Sequence, residues 1–246
     1  MIAKNRFFGM VLAALCMVTV AGARHASPAA FAVGSDKTAQ SERILAPYLA
    51  LNSYQATIRS TTVLQPVNGS KPNVIDGTVD VAYKAPNLFR VDMKGLLGGG
   101  LRISDGTSLY TYSALTNQYS VETAPKYPLR ELMAQVGDAV NLLPRGQVLI
   151  DGQAAREYDG TTAAVGAGAR IQVFVNTRSG LLERIVISEK SLPGPRGANF
   201  HLTMTEDYVA QRLNPSLAPN LFRFVAPDGA QESPAGQIPL NMGPPN

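Results

Sequence analysis

The alternation of apolar and polar side chains between Gly77 and Val121 is the feature that most constrains the fold of this chain. In GTVDVAYKAPNLFRVDMKGLLGGGLRISDGTSLYTYSALTNQYSV, Val79, Val81 and Tyr83 interleave with Thr78, Asp80, Ala82 and Lys84, and Phe89, Val91 and Met93 with Arg90, Asp92 and Lys94. A period of two puts successive side chains on opposite faces of a strand. Pro86 cannot donate to a ladder and pushes its predecessor into extended geometry, so Lys84-Ala85-Pro86-Asn87 separates the first strand from the second. After the glycine turn Gly95 to Gly100 come Leu101 and Ile103, then Asp105-Gly106, a strong hairpin signal. Leu109 to Ser113 and a return through Tyr119 and Val121 close the group. The stretch reads as four strands separated by turn signals, an antiparallel meander with one apolar and one polar face.

Residues 1–23 are expected to lie outside the fold. Lys4 and Arg6 precede an apolar run, Phe7 to Val20, of signal-peptide length and short for a membrane span, and Ala21-Gly22-Ala23 fits a small-x-small cleavage site. The expectation is a cleaved leader and a periplasmic protein, with a disordered lead at 24–35, one domain at 36–232 and a disordered Pro/Gly tail at 233–246. Cys16 is the single cysteine and lies in the leader, where Leu15 does not suit lipoprotein processing. The mature chain is therefore expected to hold neither a disulfide nor a cysteine metal site. Without Lys4 and Arg6, the 22 basic residues fall to 20 against 18 acidic. No Lys/Arg cluster is present, which argues against nucleic acid as a partner.

Asp36 is placed to cap a helix from Lys37 to Asn52 with Ile44, Leu45, Tyr48 and Leu49 as its stripe, Leu51 off it, and Pro47 marking a kink or restart. A strand from Tyr54 to Leu64 and a hairpin loop at Asn68-Gly69-Ser70 follow. Beyond the meander the period changes. Pro128 starts a helix in which Leu129, Leu132, Met133, Val136 and Val140 recur at i, i+3, i+4, i+7 and i+11, ending near Leu143-Pro144. This stripe is expected to lie on the apolar sheet face. Further strands are expected at Gln147 to Ile150, Ala154 to Gly160, Arg170 to Asn176, Leu181 to Ser188, from Phe200, and at Phe222 to Val225. About ten strands and two helices without βαβ alternation argue an α+β chain, one antiparallel sheet curled around its helices.

Val81, Lys84-Ala85-Pro86-Asn87-Leu88-Phe89 and Ile103-Ser104-Asp105-Gly106-Thr107-Ser108-Leu109-Tyr110 with Tyr112 resemble the core of LolA-type periplasmic lipoprotein carriers, and of a broader group of exported proteins of that fold. Asn220 to Gly229, NLFRFVAPDG, resembles the closing strand of that family, so the likeness spans roughly residues 36 to 232. The resemblance implies an incomplete antiparallel β-barrel with helices covering its concave face and a cavity for the acyl chains of a lipoprotein or lipid. It implies an inner-membrane exporter and an outer-membrane acceptor as partners of a monomeric carrier. One departure bears on the transport step. The carriers have an arginine, implicated in latching the lid, between the lysine and the proline, and here that place is Ala85.

An enzymatic reading finds little support. His25 lies in the lead and His201 on a strand, too few for a histidine metal site or an evident triad. Glu206 and Asp207, adjacent on a strand, point to opposite faces and read as a solvated strand end. Gly95 to Gly100 lacks the Gly-Lys-Ser/Thr ending of a phosphate loop. No cofactor and no metal is expected. The binding reading rests on apolar surface: Val79, Val81, Tyr83, Phe89, Val91, Met93, Ile103, Ile171, Val173, Val175, Phe200, Leu202 and Met204 are expected to line the concave face, with the Leu129–Val140 helix as lid. A half-barrel cannot fill itself from its own strands, so helices or a ligand must complete it. The expected function is a carrier or chaperone for acyl chains; the alternative is an envelope sensor or protein-interaction module on the same fold.

Overall fold

A computed structural model describes residues 43–95, 99–126, 140–162, 169–193 and 199–234. Its strands are β1 (Ser53–Pro66), β2 (Asn73–Lys84), β3 (Leu88–Lys94), β4 (Gly100–Asp105), β5 (Ser108–Ser113), β6 (Gln118–Thr123), β7 (Val140–Ile150), β8 (Gln153–Thr162), β9 (Arg170–Asn176), β10 (Leu182–Pro193), β11 (Asn199–Leu213) and β12 (Gln231–Glu232). They form one curled sheet in the order β12-β6-β5-β4-β3-β2-β1-β11-β10-β9-β8-β7. Every pairing is antiparallel except that of β12, which runs parallel to β6 beside Gln118 and Tyr119. Among the described residues the outermost strands do not pair with each other, and the sheet is open. Two meanders, β1 to β6 and β7 to β11, are joined by the long β1–β11 ladder from Tyr54↔Leu213 to Pro66↔Phe200.

The turns follow from local chemistry. Asp105 accepts at one carboxylate oxygen from the backbone N–H of Thr107 (2.8 Å) and of Ser108 (2.7 Å), closing the β4–β5 hairpin. Gly95 and Gly99 have φ of +76° and +80°, and a Cβ at either would lie 2.9 Å from the Asp76 carbonyl oxygen or 2.8 Å from that of Met93. Only glycine fits such approaches where β3 ends and β4 begins.

Several sequence expectations are corrected. Among the described residues the meander holds five strands where four were expected, and the sheet twelve where about ten were expected. Residues 127–139, with Leu129, Leu132, Met133 and Val136, lie outside the described residues, as do 1–42 and 235–246. Val140 to Leu143, expected at the end of that helix, belong to β7, pairing with Thr162, Thr161, Gly160 and Asp159. An apolar run flanked by a ladder partner takes the strand whatever its helical spacing. Phe222 to Val225 is not a strand either; Pro219–Phe222 forms a 3-10 turn.

Among the described residues there is one α-helix, α1 (residues 43–49), which continues through Pro47. Ile44, Leu45 and Tyr48 are buried in the core, with Leu51 just beyond. The Tyr48 hydroxyl accepts from the Leu182 N–H (2.9 Å) and donates to Gln211 Oε1 (3.1 Å), to which the Tyr54 hydroxyl also donates (2.8 Å). The two tyrosine rings meet edge to face at 5.5 Å. These contacts fasten α1 where β1 and β10 begin and β11 ends. Through these side chains α1 packs on the core at that end; the expected picture of helices covering the concave face is not what the described residues form.

Candidate ligand-binding face

Cross-strand registers decide which side chains share the inner face. Val79 lies opposite Ile58 and Met93, Val81 opposite Ala56 and Val91, and Tyr83 opposite Tyr54 and Phe89. On the other meander Ile185 faces Val173, Ile187 faces Ile171, and Leu182 faces Val175. Met204 sits beside Ile187, and Tyr158 beside Val173. These residues form one contiguous apolar core, in which Ile58, Val79 and Val91 are 0% exposed. Leu202 is buried and Phe200 half-buried on the same side of β11. Of the residues named from the sequence on described strands, all but Ile103 therefore fall on this face. Ala56, Ile58, Ile185, Ile187 and Tyr208 join them.

Ile103 is the exception, and its register explains why. It lies opposite Arg90 on β3 and Tyr110 on β5, so it shares the face of Arg90, not of Val91. A one-residue offset sends every side chain of a strand to the other face. Across β4 to β6 the inner face instead carries Gly100, Arg102 and Ser104, then Leu109, Thr111 and Ser113, then Gln118, Ser120 and Glu122. Ser104, Thr111, Ser113 and Ser120 are buried, and Arg102 is only 4% exposed. Apart from Leu109, which joins the inner core, the apolar side chains of these strands point outward, where the chain after β11 covers them. Phe224 stacks on Tyr110 (4.8 Å, 15°) and leans on Tyr119 (5.3 Å), and Phe222 is buried. Arg90 donates to the Leu221 carbonyl at 3.5 Å, and Ser233 N–H to that of Tyr119 at 2.8 Å. A pocket of about 400 Å³ opens beneath this strap, on the outer face between Leu88, Tyr110 and Phe222.

Glu206 also departs from expectation. It is 1% exposed rather than solvated, inner-facing between Ser60 on β1 and Ile185 on β10. Asp207 does point the other way, in an ion pair with Arg184. Arg102, Glu206 and Tyr208 each have an interaction within the protein, as buried charge requires. On the outer face, Asp159 accepts from Arg170 (2.7 Å at each oxygen) and from Arg145 (3.0 Å), and these guanidiniums, Arg170 foremost, hold its carboxyl below the usual range. Burial pushes the phenols of Tyr48, Tyr54 and Tyr83 above the usual range. Among the described residues no three or more His, Cys, Asp or Glu gather as metal ligands, and no helix is long and apolar enough to cross a membrane.

The chain thus belongs to the class of open, curled antiparallel sheets with a lined inner face. Solved structures that it is similar to include an uncharacterized conserved protein from Thermus thermophilus, at 17% identity and a TM-score of 0.50, over 80% of this chain and 99% of the other. They also include a LolA superfamily protein from Nitrosomonas europaea (10% identity, TM-score 0.34, covering 78% of this chain and 99% of that one). A third is the MucA/MucB complex of Pseudomonas aeruginosa (16% identity, TM-score 0.46, covering 78% and 62%). At such identities the likeness concerns the fold alone. No protein-family model and no curated protein matches the chain.

Proposed function

We propose that this is a periplasmic carrier or chaperone that holds the acyl chains of a lipoprotein or lipid against the inner face and moves them toward the outer membrane. The observation that supports it is the continuous apolar surface spread over β1 to β3 and β8 to β11 in a sheet that never closes. Aliphatic and methionine side chains suit an acyl chain, which is held by burial at about 0.8 kcal/mol per CH₂ and needs no polar partner along its length. The reading assigns no catalytic residue. Because the lining is already buried, a guest must displace protein atoms to enter, and Ala85, packed on the core where the carriers have arginine, offers no charged latch to that movement.

The same burial favours a second reading, a sensor or interaction module that binds a protein partner on an outer surface and needs no guest. One experiment separates them. The chain is exported to a bacterial periplasm, purified without detergent, and examined by native mass spectrometry and lipid extraction. In parallel a fluorescent fatty acid is titrated and displaced with an acylated peptide. The carrier reading expects co-purifying lipid and competitive displacement. Absence of both overturns it and leaves the interaction module.

A further inference from the structure

We infer that the guest is an amphiphile with an anionic head, its chain lying on the apolar wing and its phosphate or carboxylate at Arg102 on the hydroxyl-lined wing; this rests on the acyl-binding reading above. The inner face is not uniform. In the row Ala56–Val81–Val91–Arg102–Thr111–Ser120, crossing β1 to β6, three aliphatic residues are followed by a guanidinium and two hydroxyls. The row beside it passes from Ile58, Val79 and Met93 to Gly100, Ser113 and Gln118 in the same order. Apolar and polar thus abut at the β3–β4 seam, where Val91 lies directly opposite Arg102.

The inner face of the apolar wing holds Ser60 and Glu206 amid aliphatic residues, whereas arginine, threonine and three serines cluster on the buried face of the hydroxyl-lined wing, where each polar group must be satisfied. A head group with several acceptor oxygens fits that set. Arginine offers planar paired donors to phosphate or carboxylate, and threonine and serine hydroxyls donate to the remaining oxygens. Ser104 donates to the Asn87 carbonyl at 2.7 Å, and the other buried hydroxyls of this face are those of Thr111, Ser113 and Ser120. Glu122, at the end of β6 in the row of Ser104 and Leu109, is the carboxylate that the registers put on this wing. It disfavours a second negative charge near that end and leaves the anion at Arg102. A bound head would join or replace the interaction Arg102 makes within the protein.

The test uses the full chain and three probes sharing one dodecyl chain, each below its micelle-forming concentration: dodecyl phosphate, dodecylphosphocholine and dodecyl maltoside. Inorganic phosphate is the fourth arm. The wild type is expected to bind dodecyl phosphate about tenfold more tightly than dodecyl maltoside, the gain of one charge-assisted contact. Arg102→Gln is expected to bring that ratio close to one while maltoside binding persists, and Arg102→Lys to keep part of the preference. Should Arg102→Gln fail to fold, the wild-type ratio and Arg102→Lys decide. Chain binding without head-group preference overturns this inference and leaves the acyl-carrier reading standing. No binding of any dodecyl probe overturns both. Inorganic phosphate binding as tightly as dodecyl phosphate assigns the site to the free anion and overturns the amphiphile.

Discussion

The wing of β4 to β6 and the wing of β1 to β3 with β8 to β11 share one sheet and opposite polarity. On the larger wing the apolar side chains face inward and meet across the trough. On the smaller one Arg102, Thr111, Ser113 and Ser120 face inward, while Ile103 and Tyr110 face outward beneath Phe222 and Phe224. The protein thus has its main core inside and a second, smaller one outside, closed by the segment after β11. What differs between the wings is the face that most apolar side chains take, with Leu109 on the smaller wing and Ser60, Phe174 and Glu206 on the larger as exceptions. The lesson concerns the inner face: one end is suited to hydrocarbon and the other to a polar group, and the boundary runs between two adjacent strands.

The largest effect expected from this division is on the apolar wing. Ile58→Ala empties space at a fully buried residue in the centre of the sheet and should lower stability by about 2–5 kcal/mol, read as a fall in the urea midpoint. A loss under about 1 kcal/mol would mean that the inner face collapses easily around missing methyls, and the trough could then not be a shaped binding surface.

A sharper cut exchanges near-isosteres across the seam. Val91→Thr puts a hydroxyl on the apolar side and should cost about 1–3 kcal/mol, the desolvation of an unmatched buried group. Thr111→Val does the reverse one row position beyond Arg102, and there the change should stay within about 1 kcal/mol because a methyl offsets the lost hydroxyl. Equal costs for the two would abolish the distinction between the wings. Denaturant titration of the two variants beside the wild type measures it.

Much of the architecture could be read from the chain, because alternation and turn chemistry are local. The Asp105-Gly106 hairpin, the breaks at Pro86 and at Gly95, and the strand from Arg170 to Asn176 all follow from a few residues each. Which face a strand turns inward is another matter. Leu101, Ile103 and the surrounding glycines look like core in sequence, yet the register pairs Ile103 with Arg90 and sends it outward. Arg102 was hidden for the same reason, since an arginine between two aliphatics reads as the solvent side. Glu206 looked solvated because its burial depends on β1 and β10, far away in sequence. Val140 to Leu143 carry helical spacing and are held as strand by a partner, β8, that spacing cannot see.

The smallest expected effect asks whether an ion pair on the outer face of the apolar wing contributes to acid unfolding. Asp159 is gripped by Arg170 and Arg145 on the outer side of β8, and its carboxyl is held below the usual range. A carboxylate whose folded pKa is depressed adds stability above its unfolded pKa, near 3.9, and loses that contribution as pH falls through the lower folded value. Asp159→Asn keeps the shape and removes the charge. Both arginines are more than half exposed, which screens the pairs, so the loss at neutral pH should be only about 1 kcal/mol. The two proteins should then start to converge below about pH 4 and meet once the pH passes the depressed folded value, where protonation does to the wild type what the substitution did. Thermal melts at pH 7, 5 and 3 follow the gap. A gap that stays constant with pH would remove Asp159 from the acid response.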